Sequence, residues 1–443
     1  MWWLATNYFP LRPFIRFMLI LGVLLLSGYM ALFPAMFASF TKRIGLWFAP
    51  LVWMGVELLH ELTDLAFPWG YLGYTMTPWP LFTQTASLWG VYGLGAIIIL
   101  INLGLYGAIS RWRQKKKRIA WLLLTGSVLV FITGFGALRL ATAPKTDSLR
   151  VALIQPNIPI VMKGLEARRD SLITAMIEQT KNAASYKPDI ILFPETATLA
   201  YLADYDSKYA KRYFKLADSL NLTLATGMPH MINDGRSYRF ANAATVIHPS
   251  GYLDEIYIKM RLAPFGETIP FENIFPFLAK IDVQGGHHYR GKKYTVYTTT
   301  PEPLSFLICY EAIFPQLTRN FVHRGSKLLC NITNDVWFGP AKGPLQHSEM
   351  AVLRTVENGV PMIRAANNGV SMIVDAYGRI LAKSKLLVKT TVYGKVPKAS
   401  GRKTIYNLFG FLLPYLATGF VAIMLLLRKI QRGKRGKRLG KKK

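Results

Sequence analysis

The chain has 443 residues, of which 51% are hydrophobic, and its 54 basic and 24 acidic residues give a formal net charge of +30. This length excludes a single small module, and the apolar content excludes a disordered protein, which lacks the apolar surface that offsets ordering entropy. The mean hydropathy of +0.22 is above that of ordinary soluble enzymes. The two cysteines exclude a disulfide framework, and because they form no CxxC pair they suggest neither a zinc nor a thioredoxin-type site.

Long apolar runs are confined to the two ends of the chain. They lie at about 14–40, 44–65, 89–110, 119–141 and 405–427. Each approaches or exceeds the roughly 20 residues that an α-helix needs to cross a membrane. The sequence therefore predicts an N-terminal transmembrane helical region at 1–147, a globular domain at 148–398, a C-terminal transmembrane helix at 399–427 and a basic tail at 428–443.

Two clusters of basic residues predict the orientation of these helices. The loop RWRQKKKR at 111–118 joins two apolar runs, and the tail at 428–443 has ten basic residues and no acidic one. The positive-inside rule places both in the cytoplasm, so the globular domain is expected outside. The positive charge is thus explained by a membrane surface rather than by nucleic acid. The run 14–40 is predicted either to cross once or to form a bent hairpin around Gly28 and Pro34.

The central segment alternates short β-branched runs with longer helical patterns, which indicates a layered α/β domain. The helices are predicted at about 163–186, 207–219, 314–323 and 346–357. The strands are predicted at 149–155, 189–193, 222–226, 240–247, 252–258, 294–298, 304–308 and 327–332, with further strands up to 396.

Three chemically useful residues follow predicted strands. Glu195 ends DIILFPE, Lys259 ends DEIYIK and Cys309 ends PLSFLIC. A carboxylate can deprotonate a thiol, and an ammonium can stabilise both the thiolate and the oxyanion of a tetrahedral intermediate. These three residues would form a complete acyl-transfer set. The alternatives are that the cysteine is a buried small hydrophobe, as expected for Cys330, and that the charged residues are solvated strand ends.

The segments around these residues resemble the nitrilase, or carbon–nitrogen hydrolase, superfamily. They are FPET at 193–196, KMRLAPFGE at 259–267, CYE at 309–311 and NITNDVWFG at 331–339. Within the superfamily, the chain is similar to the apolipoprotein N-acyltransferases. That similarity includes PFGE, the stretch QHSEMAVLRTVENGVPMIRAANNGVS at 346–371 and the phrase FPWGYLGY at 67–74.

The resemblance implies an α/β fold in which a nitrilase-like αββα sandwich is inserted between transmembrane helices. It implies that Cys309 is the nucleophile, Glu195 the general base and Lys259 the oxyanion-stabilising group. Glu267, Tyr310 and Glu311 match further positions that the family uses around the nucleophile. Asn334 and Asp335 are expected to position the loop of the nucleophile, and Trp337 is expected to pack near the site.

The family chemistry is ping-pong acyl transfer without a metal or organic cofactor. The expected donor is a phospholipid, typically phosphatidylethanolamine, and the expected acceptor is the diacylglyceryl-cysteine of an apolipoprotein. The expected location is the bacterial cytoplasmic (inner) membrane, with the catalytic domain on the periplasmic side. The segment 265–278, FGETIPFENIFPFL, is hypothesised to be a lid that enters the acyl region, with ordinary packing as the alternative.

Two other functions remain open from the sequence. A membrane-tethered amidase or nitrilase would use the same three residues with water as the acceptor, although a soluble amide needs no membrane framework. A catalytically silent scaffold would have no reason to keep all three residues. The four or five predicted N-terminal spans are fewer than the family usually has, which suggests a shortened variant or a start further upstream.

Overall fold

The computed structural model divides the chain into two compact units, one of Met1–Thr142 with Thr404–Lys443 and one of Ala143–Lys403. It describes residues 13–159, 162, 165–233, 235, 238–272, 274–275, 277, 287–338 and 342–440, with the backbone alone at 13–19, 337 and 432–440. The first unit is helical, and the second is an α/β unit.

The first unit consists of helices. They are α1 Pro13–Ile44, α2 Ala49–Glu61, α3 Pro80–Thr83, α4 Ala86–Ser110, α5 Lys115–Ala141 and, after the second unit, α10 Ile405–Leu408 and α11 Leu413–Gly440. Four helical segments in the described part of the chain are long and apolar enough to cross a membrane: Ile20–Ile44, Ala86–Ser110, Lys115–Ala141 and Gly410–Gln431. Helix α2 packs against α1, α4 and α11.

For the first unit, the structure excludes one of two alternatives and shows that one prediction is wrong. Helix α1 continues through Gly28 and Pro34, so the run 14–40 is not a hairpin. The run 44–65 does not form a helix of membrane-spanning length, because α2 has 13 residues and is about 20 Å long at 1.5 Å per residue. Gly45, whose φ of +115° favours glycine, separates the run from α1; Leu46–Phe48 then forms a 3₁₀ turn, and α2 ends at Glu61 before the end of the run.

Two acidic residues of α2 are buried by contacts with the following loop. Glu57 accepts a hydrogen bond from the backbone N–H of Leu72 at 2.7 Å. Glu61 accepts hydrogen bonds from the hydroxyls of Tyr71 and Tyr92. These carboxylates therefore fasten the segment FPWGYLGY to α2 and α4, which is a structural role.

The second unit contains two β-sheets. Its strands are β1 Ser148–Gln155, β2 Ile190–Leu192, β3 Leu224–Asn233, β4 Tyr238–Ile247, β5 Tyr257–Ile258, β6 Leu304–Ile308, β7 Leu328–Thr333, β8 Met362–Ala366, β9 Met372–Val374, β10 Ile380–Lys383 and β11 Thr390–Pro397. One sheet has the order β11-β1-β2-β3-β4-β5 and the other β10-β9-β8-β7-β6. Parallel pairing joins β1, β2 and β3 in the first sheet and β6, β7 and β8 in the second.

Four layers make this unit an αββα sandwich, as predicted. Strand β1 contacts β8 and β4 contacts β6, so the sheets pack face to face. Helices α6 Glu166–Ala184 and α7 Lys208–Leu220 cover the other face of the first sheet, where Ile173 and Tyr213 join a core with Ile154 and Phe193. Helices α8 Pro315–His323 and α9 Gly343–Asn358, which contact each other, provide the fourth layer.

Two predicted strands are largely wrong. In the segment 252–258 only Tyr257–Ile258 forms a strand; Leu253 makes a single bridge to Ile247, and the Asp254 and Glu255 carbonyls between them accept hydrogen bonds from the Thr245 hydroxyl. The segment 294–298 contributes a single bridge between Tyr297 and Leu304. Both segments have β-branched or aromatic residues, but they pair with the neighbouring strands β4 and β6 over only one or two residues at a time.

Candidate active site

Glu195, Lys259 and Cys309 come together in the second unit because each follows a strand. Glu195 lies three residues after β2, Lys259 follows β5 directly, and Cys309 follows β6 directly. The Lys259 Nζ lies 3.5 Å from the Glu195 Oε1. The thiol of Cys309 interacts electrostatically with both residues. The structure thus assembles a carboxylate, an ammonium and a thiol from separate strands.

Cys309 lies on a strained turn between β6 and the short 3₁₀ helix Cys309–Ile313. Its φ of +50° is left-handed, which is unfavourable for a residue with a Cβ and is typical of functional positions. The His347 Nε2 lies 3.0 Å from the Cys309 carbonyl oxygen. Burial and the carboxylate of Glu195 raise the pKa of the Cys309 thiol, whereas Lys259 lowers it. The net increase in pKa favours a resting thiol, so attack requires a base.

Glu195 is held at both carboxylate oxygens. Its Oε2 accepts a hydrogen bond from the backbone N–H of Asn334 at 2.7 Å, and its Oε1 accepts one from the Asn242 Nδ2 at 2.6 Å. Gly227 of β3 permits the turn that carries Glu195, since a Cβ at Gly227 would lie 2.8 Å from the Glu195 Cα. The general-base candidate is therefore nearly buried, at 6% exposure, and has a fixed orientation.

Lys259 is more buried than the neighbouring carboxylates of Glu195 and Glu267, with 1% of its side chain exposed. Burial opposes its positive charge, but the carboxylates of Glu267 and Glu195 outweigh burial and raise the pKa of Lys259 above that of an ordinary lysine. Its backbone carbonyl accepts a hydrogen bond from the Gly291 N–H at 2.8 Å. Lys259 is thus a permanently charged ammonium at physiological pH.

Glu267 is a second carboxylate on the same ammonium. Its Oε1 lies 2.8 Å from the Lys259 Nζ, and its Oε2 accepts a hydrogen bond from the Ala263 N–H at 2.9 Å. Burial by itself would raise the pKa of Glu267, but Lys259 outweighs burial and holds that pKa well below the usual range. Asn242 also donates to Glu267, at 3.1 Å, and so links the two carboxylates.

Glu311 fastens the turn of Cys309 to the loop of Lys259. Its Oε2 accepts a hydrogen bond from the Ile308 N–H at 2.8 Å. Its Oε1 accepts hydrogen bonds from the N–H of Met260 at 2.6 Å, the N–H of Arg261 at 3.1 Å and the hydroxyl of Tyr257 at 2.8 Å. Neighbouring Tyr310 is buried, and its ring meets Phe314 edge-on with centroids 5.1 Å apart. Glu311 therefore sets the relative position of the nucleophile and the ammonium.

Asp335 is the centre of a buried ionic network beneath the nucleophile. Its Oδ1 lies 2.8 Å from the His347 Nδ1 and accepts a hydrogen bond from Thr333 at 2.9 Å, and its Oδ2 pairs with the Arg364 Nη2 at 2.9 Å. Burial raises its pKa, but Arg364 and His347 outweigh burial, and the net effect lowers the pKa of Asp335 to about 2. Neighbouring Asn334 accepts a hydrogen bond from Asn367 at 2.9 Å.

One group of potential metal ligands exists among the described residues: Cys309, Asp335 and His347, whose ligand atoms lie within 4.8 Å of one another. A cation there would lie beside the Arg364 guanidinium, which already pairs with Asp335. Both nitrogens of His347 also have oxygen partners. The arrangement suits hydrogen bonding that supports the Cys309 turn and does not suit a divalent metal.

Two further sequence expectations are only partly covered by the described residues. The side chain of Trp337, and residues 273, 276 and 278 of the hypothesised lid, lie outside them. Within the lid segment, Phe275 and Phe277 are 49% and 64% exposed. In the neighbouring loop His287 lies 2.9 Å from Glu272.

Sequence reasoning missed three residues that orient the site: Asn242, His347 and Arg364. Asn242 is a polar residue inside the apolar strand FANAATVI, and a buried polar residue of this kind needs a specific partner. His347 and Arg364 lie in the long segment that resembles the apolipoprotein N-acyltransferases. A position inside an apolar strand was the available signal for Asn242 and Arg364, whereas His347, in the polar stretch LQHSE, had no such signal.

Replacing Asp335 with asparagine should destabilise the second unit in a pH-dependent way. Because its folded pKa is depressed, Asp335 contributes stability above the unfolded-state pKa and loses that contribution as pH falls toward 2. The pKa shift corresponds to about 2 kcal/mol of free energy of unfolding at neutral pH. Thermal unfolding followed by circular dichroism should therefore show a deficit at pH 7 that narrows between pH 4 and 2. A deficit that does not change with pH would contradict this role.

Comparisons with known proteins identify the family of this chain. Residues 150–406 match the carbon–nitrogen hydrolase family, and residues 1–104 match the apolipoprotein N-acyltransferase N-terminal domain. The chain is 33% identical to the apolipoprotein N-acyltransferase of Geobacter metallireducens over 92% of this chain and 80% of that protein. It is 30% identical to that of Rhodopseudomonas palustris over 97% of this chain and 85% of that protein.

Among solved structures, a carbon–nitrogen hydrolase from Helicobacter pylori G27 aligns with 56% of this chain and 89% of its own, with a TM-score of 0.43 and 15% identity. The family assignment depends on the sequence matches, which extend through both units. The chain is a membrane protein that belongs to the apolipoprotein N-acyltransferase family, within the carbon–nitrogen hydrolases.

Proposed function

We propose that this protein transfers an acyl chain from a phospholipid to the α-amine of a diacylglyceryl-cysteine at the N-terminus of an apolipoprotein. The observation that carries the proposal is the convergence of Glu195, Lys259 and Cys309 in a member of the apolipoprotein N-acyltransferase family. The proposed route has two half-reactions joined by a thioester on Cys309. The residues around the site supply every proton transfer and charge that this route needs.

In the first half-reaction, Glu195 removes the proton of the Cys309 thiol as the sulfur attacks the sn-1 ester carbonyl of the phospholipid. The negative oxygen of the tetrahedral intermediate is stabilised by the ammonium of Lys259. Collapse of the intermediate breaks the ester C–O bond, and Glu195 returns the proton to the departing lysophospholipid oxygen. We propose phosphatidylethanolamine as the usual donor, following the family resemblance.

In the second half-reaction, the α-amine of the apolipoprotein attacks the thioester carbonyl. Lys259 again stabilises the oxyanion, and Glu195 accepts the proton that the amine loses. Collapse breaks the C–S bond, forms the amide and returns the proton to the thiolate of Cys309. The high pKa of Lys259 supports this scheme, because the ammonium retains its proton while the proton of the reaction passes through Glu195.

The fixed carboxylate of Glu267 leaves Glu195 available for proton transfer. Glu267 lies closer to the Lys259 Nζ than Glu195 does, at 2.8 Å compared with 3.5 Å. The ammonium is therefore neutralised mainly by Glu267, whose depressed pKa keeps it ionised. We propose that Glu267 is a positioning residue for Lys259 and that Glu195 alone acts as the base.

We propose that the protein lies in the bacterial inner membrane with the α/β unit on the periplasmic side and the basic tail in the cytoplasm. The basic loop between α4 and α5 and the basic tail after α11 support this topology. A single cysteine introduced at Ser400 should react with a membrane-impermeant maleimide in intact spheroplasts, whereas one introduced at Arg428 should react only after lysis. The opposite pattern would contradict the proposed topology.

The rival activity is hydrolysis of a small amide by the same three residues. The purified protein with phosphatidylethanolamine and a diacylated lipopeptide should form a triacylated lipopeptide, detected by mass spectrometry. Without the lipopeptide, free fatty acid should accumulate at least about tenfold more slowly than acyl transfer, because a useful thioester must be kept from water. Turnover of a panel of simple amides, with no lipopeptide acylation, would instead establish the amidase.

A further inference from the structure

A cavity of about 380 Å³ lies in the helical unit. It is lined by the segment that follows α1, by the end of α4 and by the start of α5, where the basic loop joins these two helices. This volume is within the range of about 300–1,000 Å³ that is usual for small-molecule sites. Leu46 and Leu103 are among its apolar lining residues. Ser110, Arg111 and Gln114 provide its polar lining. The cavity therefore has an apolar part and a polar part.

Close packing of α4 and α5 builds one wall of the cavity. A Cβ at Gly107 would lie 2.3 Å from the ring of Trp121, so glycine is needed for α5 to approach α4 there. The ring of Trp121 stacks on that of Trp47, with centroids 4.6 Å apart. Trp47 nevertheless remains 65% exposed, which leaves a large aromatic face available. Exposed tryptophans are enriched where membrane proteins meet the membrane–water interface.

Arg111 supplies the charge of the cavity. Its guanidinium carbon lies 5.5 Å from the centre of the Trp121 ring, and its Nη1 donates a hydrogen bond to the Ser110 Oγ at 3.2 Å. Residues 41–48 and 103–121, which form this end of the unit, contain no acidic residue. The basic charge therefore has no internal carboxylate to neutralise it, and the complementary ligand is an anion.

We propose that this cavity binds the headgroup of an anionic phospholipid. The phosphate would lie at Arg111, and the glycerol and first acyl carbons would lie against Trp47 and Trp121. A phospholipid fits because its anionic end can lie against the polar lining while its apolar end lies against the apolar lining. Basic pockets between transmembrane helices are suited to anionic lipid headgroups. The proposed site is built only from the helical unit and is separate from Cys309.

Native mass spectrometry of the full-length protein in detergent tests the proposal, with phosphatidylglycerol as the anionic probe and phosphatidylcholine as the zwitterionic one. The Cys309→Ala background prevents acyl transfer during the measurement. We expect at least about tenfold tighter binding of phosphatidylglycerol than of phosphatidylcholine. Arg111→Gln should weaken phosphatidylglycerol binding by about tenfold or more, because it removes a charged hydrogen-bond donor. Phosphatidylcholine has the same phosphate but a cationic choline beside it, so its binding should weaken by less than that of phosphatidylglycerol.

Lys116→Gln is the matched control, since it removes one positive charge from the same loop at a residue that does not line the cavity. General attraction to the basic loop would make its effect equal to that of Arg111→Gln, and that result would overturn the proposal. If Lys116→Gln weakens phosphatidylglycerol binding by no more than about fivefold, which is the effect expected of one charge near a membrane surface, the result supports the site. Equally tight binding of phosphatidylglycerol and phosphatidylcholine by the parent protein would also overturn the proposal.

Discussion

Replacing Glu195 with glutamine is expected to slow formation of the Cys309 thioester by about 10²- to 10⁴-fold, the usual contribution of a positioned general base. Glutamine has almost the same shape but cannot take the thiol proton. Because burial raises the pKa of Cys309, very little thiolate forms without a base. Glu267 still neutralises Lys259 in this variant, so the buried ammonium keeps a partner at 2.8 Å.

A single-turnover time course with phosphatidylethanolamine, followed by intact-mass spectrometry, measures this rate. Glu178→Gln is a suitable control, since Glu178 is an exposed residue of α6 that pairs with Lys181 in the same unit. The control should acylate at the parent rate. Acylation of Glu195→Gln within about fivefold of the parent would show that another group deprotonates Cys309.

Replacing Lys259 with methionine is expected to damage both activity and stability. Loss of the group that stabilises the oxyanion should lower the acylation rate by about 10²- to 10³-fold. The carboxylates of Glu195 and Glu267 would then face each other without the ammonium that lies between them. Removing one partner of such a buried ion pair costs about 3–5 kcal/mol of the free energy of unfolding. Thermal unfolding measures the loss of stability, and the acylation time course measures the loss of activity.

The double variant Lys259→Met, Glu267→Gln separates the two effects. Removing one of the two carboxylates relieves their repulsion, so part of the lost thermal stability should return. Activity should not return, because the oxyanion still has no ammonium beside it. Recovery of the acylation rate in proportion to the stability would mean that Lys259 serves the fold alone.

The sequence predicted the layers of the α/β unit and the strand ends from which Glu195, Lys259 and Cys309 project. This was possible because buried strands are short apolar runs, and a charged or nucleophilic residue directly after such a run is easily recognised. The hydrogen bonds that orient these three residues were much harder to predict from the sequence. Asn242 and Glu267 are close only because β4 and the loop after β5 meet in space, and His347 reaches Cys309 from a helix 38 residues further along the chain.

The helical unit shows where hydropathy alone is insufficient. An apolar run at 44–65 has the composition of a membrane span, but a window average registers neither the break at Gly45 nor the end of α2 at Glu61. Glu57 and Glu61 lie within that run. Their hydrogen bonds with Leu72, Tyr71 and Tyr92 depend on the fold of the following loop.

The central claim is that Cys309 carries the acyl group as a thioester, and intact-mass spectrometry after incubation with phosphatidylethanolamine alone tests it most directly. The account predicts a mass increase of one acyl chain that hydroxylamine removes and that is absent from Cys309→Ala. Cys330→Ala is the matched control, because Cys330 is the other cysteine of the chain and is buried in β7. Its mass increase should equal that of the parent protein. A hydroxylamine-sensitive increase that persists in Cys309→Ala, or its absence from the folded parent, would contradict the account.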